Sequence, residues 1–121
     1  MSIRKIIGNY GEDLALKYLL RNGFNILDTN FSSRFGEIDI IAAKMGKIHF
    51  VEVKTRTGDY CGSPEEGLTR HKISRILKTC QNYIYSKRID TDNYQLDLIA
   101  IEIDKKEKRA KIKHYRAIQL L

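Results

Sequence analysis

The sequence has little cysteine and proline and no tryptophan: 121 residues contain two cysteines and one proline. The cysteines, Cys61 and Cys80, show no CxxC or Cys/His spacing, and the three histidines are scattered, which argues against a disulfide framework or a zinc module. No apolar run approaches the length of a membrane span, and the basic N-terminus lacks a signal-peptide core. We therefore expect a cytoplasmic protein with reduced thiols and no membrane partner.

Positive charge is in excess. The chain has 22 Lys and Arg against 15 Asp and Glu, a net charge of +7. This balance favours polyanionic partners, nucleic acid first, although a basic surface without a partner explains the same count. Hydrophobic residues make up 42%. A chain of this length and composition suits one core, so residues 1–121 are predicted to form a single domain.

Hydrophobic periodicity predicts an α/β fold in the order α-β-β-β-α-β-β. The first helix is expected over about Gly8–Asn22, followed by a strand in "FNILDTNF" and a hairpin over Gly36–Arg56. The sequence "SPEEG" (Ser63–Gly67) has capping signals, and the main helix is expected over about Thr69–Lys87. The apolar strand "YQLDLIAIEI" and a lysine-rich edge strand, "AKIKHYRAI", complete a mixed sheet covered by helices, with a right-handed parallel crossover.

Two carboxylates interrupt the apolar strands of the hairpin. Asp39 lies in "EIDII", and Glu52 lies in "FVEVK" with Lys54 two residues on. If the turn is even and centred between Met45 and Gly46, opposed residues have numbers that sum to about 91, so Asp39 faces Glu52 and shares a sheet face with Lys54. An odd loop would instead place the two acids on opposite faces.

The D…ExK pattern suits metal-dependent phosphodiester hydrolysis. Mg²⁺ prefers oxygen ligands, keeps several waters and is often held by one or two carboxylates. Asp39 and Glu52 would supply these, the backbone carbonyl of Val53 would be a third ligand, and Lys54 would orient or acidify the attacking water. The alternative is a solvated ion-pair set neutralised by Lys54. The apolar flanks, and two acids with one base in a basic protein, favour a cation.

Other charged residues are candidates on weaker grounds. Glu12 lies on the apolar face of the first helix, near its predicted start, where it is either a helix-dipole acid or a further metal or water ligand. Lys72 and Arg75 on the second helix, and Arg34 in the loop before the hairpin, are candidates for binding phosphate or are simply solvated. Asp97, in a buried strand, is expected to be the structural partner of a nearby cation.

Four runs of sequence together resemble the YraN-like family of small bacterial proteins. They are "GNYGEDLALKYLLRNGFNILDTNF", "GEIDIIA", "FVEVKTR" and "GSPEEGLTRHKISRI", and the resemblance extends from Gly8 to about Ile101. The resemblance implies a restriction-endonuclease-like αβββαβ core, related to archaeal Holliday junction resolvases, with a PD-(D/E)xK site.

The resemblance also implies roles for individual residues. The matching positions are Glu12 for the helix acid, Asp39 and Glu52 for the strand acids, Lys54 for the lysine and Lys72 for the residue on the following helix. The proline of the motif is absent, because Ile38 precedes Asp39. Gln95 stands where the family often has arginine, which leaves the role of Asp97 open.

The sequence thus predicts a Mg²⁺-dependent endonuclease acting on DNA, with structured or branched DNA as a candidate substrate and Mn²⁺ expected to substitute. The alternative is a non-catalytic nucleic-acid-binding module with a vestigial site, and a third reading is a structural domain whose charge is incidental. The choice between DNA and RNA stays open. Junction cutting usually needs two active sites, so a homodimer is also considered.

Overall fold

The computed structural model describes residues 2–58 and 67–118, so Cys61 and most of the predicted capping sequence lie outside the described residues. Within these ranges the predicted order α-β-β-β-α-β-β is confirmed. The elements are α1 (Ile3–Arg21), β1 (Asn25–Ser33), β2 (Gly36–Lys44), β3 (Lys47–Thr57), α2 (Arg70–Ser86), β4 (Tyr94–Asp104) and β5 (Arg109–Tyr115). Neither helix described is long and apolar enough to cross a bilayer.

The five strands form one mixed sheet in the order β1-β2-β3-β4-β5. Strands β1, β2 and β3 are joined by antiparallel ladders, β3 and β4 run parallel with α2 in the connection between them, and β5 is antiparallel to β4. The lysine-rich strand therefore lies at an edge, as predicted, where charged side chains hinder pairing with another chain. The predicted mixed sheet and αβββαβ core are confirmed.

The two helices pack on opposite faces of this sheet. Side chains of successive strand residues point to opposite faces, and on β3 Phe50 joins the core around α2 whereas Val51 joins the core around α1. The α2 core contains Ile38, Ile41, Ile48, Phe50, Ile73, Ile76, Cys80, Tyr83 and Leu96. The α1 core contains Ala15, Leu19, Phe24, Ile40, Ala42, Val51, Ile99 and Ile101.

Helix α1 begins earlier than predicted, at Ile3 rather than Gly8. Ser2 caps it, since its Oγ accepts a hydrogen bond of 3.2 Å from the backbone N–H of Lys5. Glu12 therefore lies in the middle of the helix. The helix-dipole interpretation of Glu12 is wrong, because that interaction is confined to the first turn.

The turn between β2 and β3 consists of Met45 and Gly46. Their φ angles are +51° and +77°, which is the left-handed backbone that a two-residue hairpin turn of type I′ requires. The ladder pairs Ala42 with His49 and Ile40 with Val51. The predicted even register is confirmed over these pairs, and the odd-loop alternative is excluded.

Candidate active site

Strands β2 and β3 separate at the two predicted acids. Their ladder ends at the pair Ile40–Val51. Beyond that pair, β2 stays hydrogen-bonded to β1 and β3 stays hydrogen-bonded to β4. Asp39 and Glu52 are the next residues on either side of the resulting gap. They meet where the strands part, and not as a ladder pair on a flat sheet face.

The side chain of Asp39 takes the place of a missing backbone hydrogen-bond partner in this gap. Its Oδ2 accepts a hydrogen bond of 2.8 Å from the backbone N–H of Val53, a donor that a continued ladder would direct to the carbonyl of Ile38. The N–H and C=O groups of one strand residue point to the same edge of the strand. The carbonyl of Val53, a predicted metal ligand, therefore also faces the gap.

The side chain of Glu52 lacks one of its expected hydrogen bonds. Its Oε1 is buried and has no hydrogen-bond partner among the described residues. Burial, followed by the negative charge of Asp39, raises the pKa of Glu52 to about 8, although Lys54 opposes the shift. The thiol of Cys80, a buried residue of α2, has a raised pKa because of its burial and the nearby charge of Glu52. An unpaired buried carboxylate oxygen is costly, and a cation would remove that cost.

Glu12 reaches the gap from α1. The preceding residue, Gly11, lets the helix approach β3 closely, because a Cβ atom at that position would overlap the side-chain oxygen of Thr55. Burial, then the charge of Asp39 and a hydrogen bond to it, raises the pKa of Glu12 to about 7. Burial also raises the pKa of Asp39. The two carboxyl groups are therefore hydrogen-bonded to each other at the gap.

Lys54 lies between two clefts that reach the gap from opposite faces. The α1-side cleft has a volume of about 630 Å³, and Glu12 and Val53 are among its lining residues. The α2-side cleft has a volume of about 210 Å³ and is lined by Phe35, Gly36, Glu52, Lys54, Leu68, Lys72, Arg75 and Ile76. Lys54 lines both clefts. Its charge opposes the upward pKa shifts of Asp39 and Glu52.

Two of the three predicted phosphate-binding residues lie in the α2-side cleft with Glu52. These are Lys72 and Arg75, and the Lys72 ammonium donates a hydrogen bond of 3.1 Å to the carbonyl of Gly67. Arg34 does not line the cleft, but its guanidinium lies 4.9 Å from the ring centre of Phe35, which does. Phe35 was not identified from the sequence as a cleft residue, because its only signal there is an aromatic residue in a short loop.

Asp97 has partners that the sequence did not reveal. Its Oδ2 accepts hydrogen bonds of 2.8 Å from ring nitrogens of His49 and His114. Its Oδ1 accepts from the Gln95 amide at 2.7 Å and from the Ala117 backbone at 2.9 Å. Burial alone would raise the pKa of Asp97, but these hydrogen bonds outweigh it and hold the pKa well below its usual range. The sequence predicted a nearby cation as the partner of Asp97, and the structure shows hydrogen bonds to two histidines that lie far apart in the sequence.

The donor atoms around the gap suit a hard divalent cation that keeps part of its water shell. Within residues 2–58 and 67–118, no group of three or more His, Cys, Asp or Glu side chains is arranged as a ready-made metal site. Mg²⁺ needs fewer protein ligands, since one or two carboxylates with waters are sufficient. Asp39, the unpaired Glu52 Oε1 and the carbonyl of Val53 are oxygen donors of that kind.

Comparison with known proteins places these residues in a family. The model of the family described as "Uncharacterised protein family UPF0102" matches residues 11–101. A "UPF0102 protein" of Alkaliphilus oremlandii is 44% identical over 112 residues, which cover 93% of this chain and 96% of the relative. A "UPF0102 protein" of Clostridium tetani is 47% identical over 100 residues, 83% of this chain and 82% of the relative. The resemblance to the YraN-like family is confirmed.

Proposed function

This chain belongs to the uncharacterised protein family UPF0102, and we propose that it is a metal-dependent endonuclease that hydrolyses phosphodiester bonds in DNA. One observation carries the proposal. A buried carboxylate oxygen of Glu52 has no hydrogen-bond partner within residues 2–58 and 67–118, at a strand gap that it shares with Asp39. A structural acid in such a position would be hydrogen-bonded or paired. In a metal site, the same carboxylate oxygen would bind the cation instead of a protein donor.

Each residue at the gap has a distinct role in this proposal. Asp39, oriented by the Val53 N–H group, would hold Mg²⁺ or Mn²⁺ together with Glu52 and the Val53 carbonyl. A bound cation of this kind neutralises phosphate charge and lowers the pKa of a bound water. Lys54 donates to the attacking water or to a phosphate oxygen. Glu12, which is hydrogen-bonded to Asp39, would orient that acid and would be a further oxygen ligand for the cation or its water.

DNA is the proposed substrate because the acidic gap is surrounded by positive charge. Lys54, Lys72 and Arg75 line the α2-side cleft, and the whole chain has a net charge of +7. Cationic side chains of this kind neutralise phosphates and release counterions, so DNA affinity should fall steeply with salt. Reversing the charge of Lys72 and Arg75 should reduce that salt dependence.

A non-catalytic DNA-binding module is the second candidate. The lack of a ready-made three-ligand cluster in the described residues favours it, because a vestigial site retains its acids without holding a metal. Both candidates predict salt-sensitive DNA binding. Only the nuclease predicts that cleavage depends on metal and on Glu52.

The deciding experiment is a cleavage screen of labelled duplex, single-stranded, flap and four-way DNA with Mg²⁺, Mn²⁺ or EDTA. We expect wild type to cut at least one substrate with metal and none with EDTA. Glu52→Gln should abolish cutting, whereas Glu107→Gln, an exposed acid in the β4–β5 turn, should not. Equal cutting by both variants would indicate a contaminant. DNA binding without cutting in any condition would support the binding module.

A further inference from the structure

We propose that the α2-side cleft is a subsite for one unpaired nucleobase, which stacks on Phe35 beside the phosphate bound at the gap. The preferred substrate is then DNA with an unstacked nucleotide next to the cleaved bond, and not continuous duplex. This inference rests on the proposed function for the phosphate, but the binding of the base can be measured without cleavage.

Phe35 lies in a turn that its own sequence does not favour. Arg34 and Phe35 are the two residues between β1 and β2, whereas short hairpin turns prefer Asn, Asp and Gly. The Phe35 N–H group donates to Ser33 Oγ at 3.1 Å. Ser33 Oγ in turn lies 3.2 Å from Oγ1 of Thr79, a fully buried residue of α2. These hydrogen bonds link the backbone of the turn to α2 through Ser33.

The surroundings of Phe35 differ from those of the other phenylalanines. Phe31 and Phe50 both pack edge-on against Tyr83, and Phe24 packs edge-on against His49. In the described part of the chain, Phe35 has no ring partner of this type. Its ring is accompanied by cations instead: the Arg34 guanidinium at 4.9 Å and the Lys78 ammonium at 5.6 Å from the ring centre. An aromatic ring among cations is a common arrangement in single-strand binding sites.

The cleft combines a volume well above that of one water with apolar walls and charged lining residues. Its volume of about 210 Å³ is roughly seven times the ~30 Å³ that one water occupies in the liquid. Phe35, Leu68 and Ile76 give it apolar walls, and its charged lining residues are those already assigned to metal and phosphate. Apolar walls accept the faces of a base, while the charged groups accept the phosphate attached to it.

A base within intact duplex cannot use this surface, because it is stacked on both sides and paired. Extracting it costs stacking and pairing energy, and that cost is lowest where the nucleotide is mismatched or already single-stranded. Stacking of one base on an aromatic side chain changes affinity by about tenfold to a hundredfold on substitution with alanine. The expected consequence is selectivity for unpaired nucleotides that depends on the ring of Phe35.

The test is fluorescence anisotropy in EDTA at low salt, so that no cleavage occurs. Two labelled duplexes are compared that differ only in a single bulged position, which carries a base in one and is abasic in the other. Wild type should bind the bulged base about tenfold more tightly than the abasic bulge, and Phe35→Trp should retain this ratio. Phe35→Ala should reduce it to about one. Tyr85→Ala, which removes an 87% exposed aromatic residue elsewhere on α2, should leave it unchanged.

A ratio near one in wild type, or a ratio that Phe35→Ala does not change, would overturn the subsite. If Phe35→Ala lowers the melting temperature so far that the fold is lost, Phe35→Leu decides the matter, because leucine keeps apolar packing without a stacking face. Cleavage assays on the same DNAs separate the two proposals. A Phe35-dependent ratio without cleavage would retain the subsite and reject the nuclease, and Mn²⁺-dependent cleavage with a ratio of one would do the reverse.

Discussion

Asp97 on β4 is buried and Glu52 on the neighbouring strand β3 is half-buried, and their carboxyl groups have opposite surroundings. Asp97 is 0% exposed and receives hydrogen bonds on both oxygens. Glu52 has a buried oxygen without a partner among the described residues. Burial acts in the same direction on both, yet the pKa of Asp97 is lowered and that of Glu52 is raised. The difference is therefore one of hydrogen bonding and neighbouring charge.

The comparison distinguishes a structural acid, Asp97, from a candidate site acid, Glu52. A buried polar group that is fully satisfied stabilises one arrangement of its neighbours, and a partly satisfied group is a liability. Asp97 joins β3, β4 and β5 through His49 and His114. Glu52, Asp39 and Glu12 meet at the gap, where burial raises the pKa of all three. A cation bound between these acids would explain why they lie together.

The largest effect is expected from Lys54→Ala, on the functional side of the comparison. Cleavage should fall by roughly 10³-fold, which corresponds to about 4 kcal/mol of transition-state stabilisation. Mn²⁺ should still raise the melting temperature, because an ammonium group is not a metal ligand and a ligand of the folded state stabilises it. Single-turnover cleavage and melting curves check both points, with the exposed Lys105→Ala as control. If the Mn²⁺ response disappears with the activity, the assigned role of Lys54 is wrong.

The next effect concerns the structural acid. Asp97→Asn should lower the free energy of unfolding by about 3 kcal/mol, because a neutral amide cannot accept all four hydrogen bonds and leaves buried donors unpaired. Urea unfolding without metal measures the change. Asp92→Asn, in the exposed loop before β4, provides the matched control and should have little effect. A loss below about 1 kcal/mol would remove the basis for treating Asp97 as structural.

The pH dependence of stability should distinguish the two acids by sign. An unfolded glutamate has a pKa of ~4.3, whereas Glu52 and Glu12 have folded-state values of about 8 and about 7. The folded state binds more protons across that window, so the metal-free protein should lose stability as the pH rises from roughly 5 to 8. Asp97, with a lowered pKa, contributes stability above about pH 4 that is lost in more acidic solution.

Urea unfolding at several pH values tests this dependence. Glu52→Gln should flatten the decline towards pH 8, and saturating Mn²⁺ should reduce it, since a cation favours the deprotonated acids. Glu107→Gln should keep the wild-type profile. A wild-type stability that is constant or rises from about pH 5 to pH 8 would show that the acids at the gap are solvated and not coupled.

The smallest effect is expected from Asp39→Asn. Without metal, stability should be equal to that of wild type or higher by up to about 1 kcal/mol, because one repelling charge is removed while the amide oxygen can still accept from Val53. The rise in melting temperature with Mn²⁺ should shrink. Melting curves with and without Mn²⁺ measure both quantities. A structural Asp39–Lys54 ion pair would give a less stable variant and no metal response in wild type.

Local sequence was sufficient for much of the fold. Hydrophobic periodicity predicted a helix over about Thr69–Lys87, and the structure confirms it as α2 over Arg70–Ser86. The register of the central hairpin followed from an even turn at Met45 and Gly46. These features depend on neighbours along the chain or on one two-residue turn. Helix α1 was predicted to begin too late because its first residues are held by a cap at Ser2 and expose apolar side chains such as Ile3 and Ile6.

The sequence by itself determined that two acids and a lysine stand at adjacent positions of a hairpin, because pleating and turn parity are local rules. Only the tertiary structure decided what surrounds each acid. The strands part after Ile40 and Val51 because β2 follows β1 while β3 follows β4, and these pairings join residues distant in sequence. The same long-range packing brings His114 to Asp97 and, among the described residues, leaves the buried Oε1 of Glu52 without a hydrogen-bond partner. Burial and hydrogen bonding, which set a carboxylate's chemistry, are properties of that packing and not of the residue type.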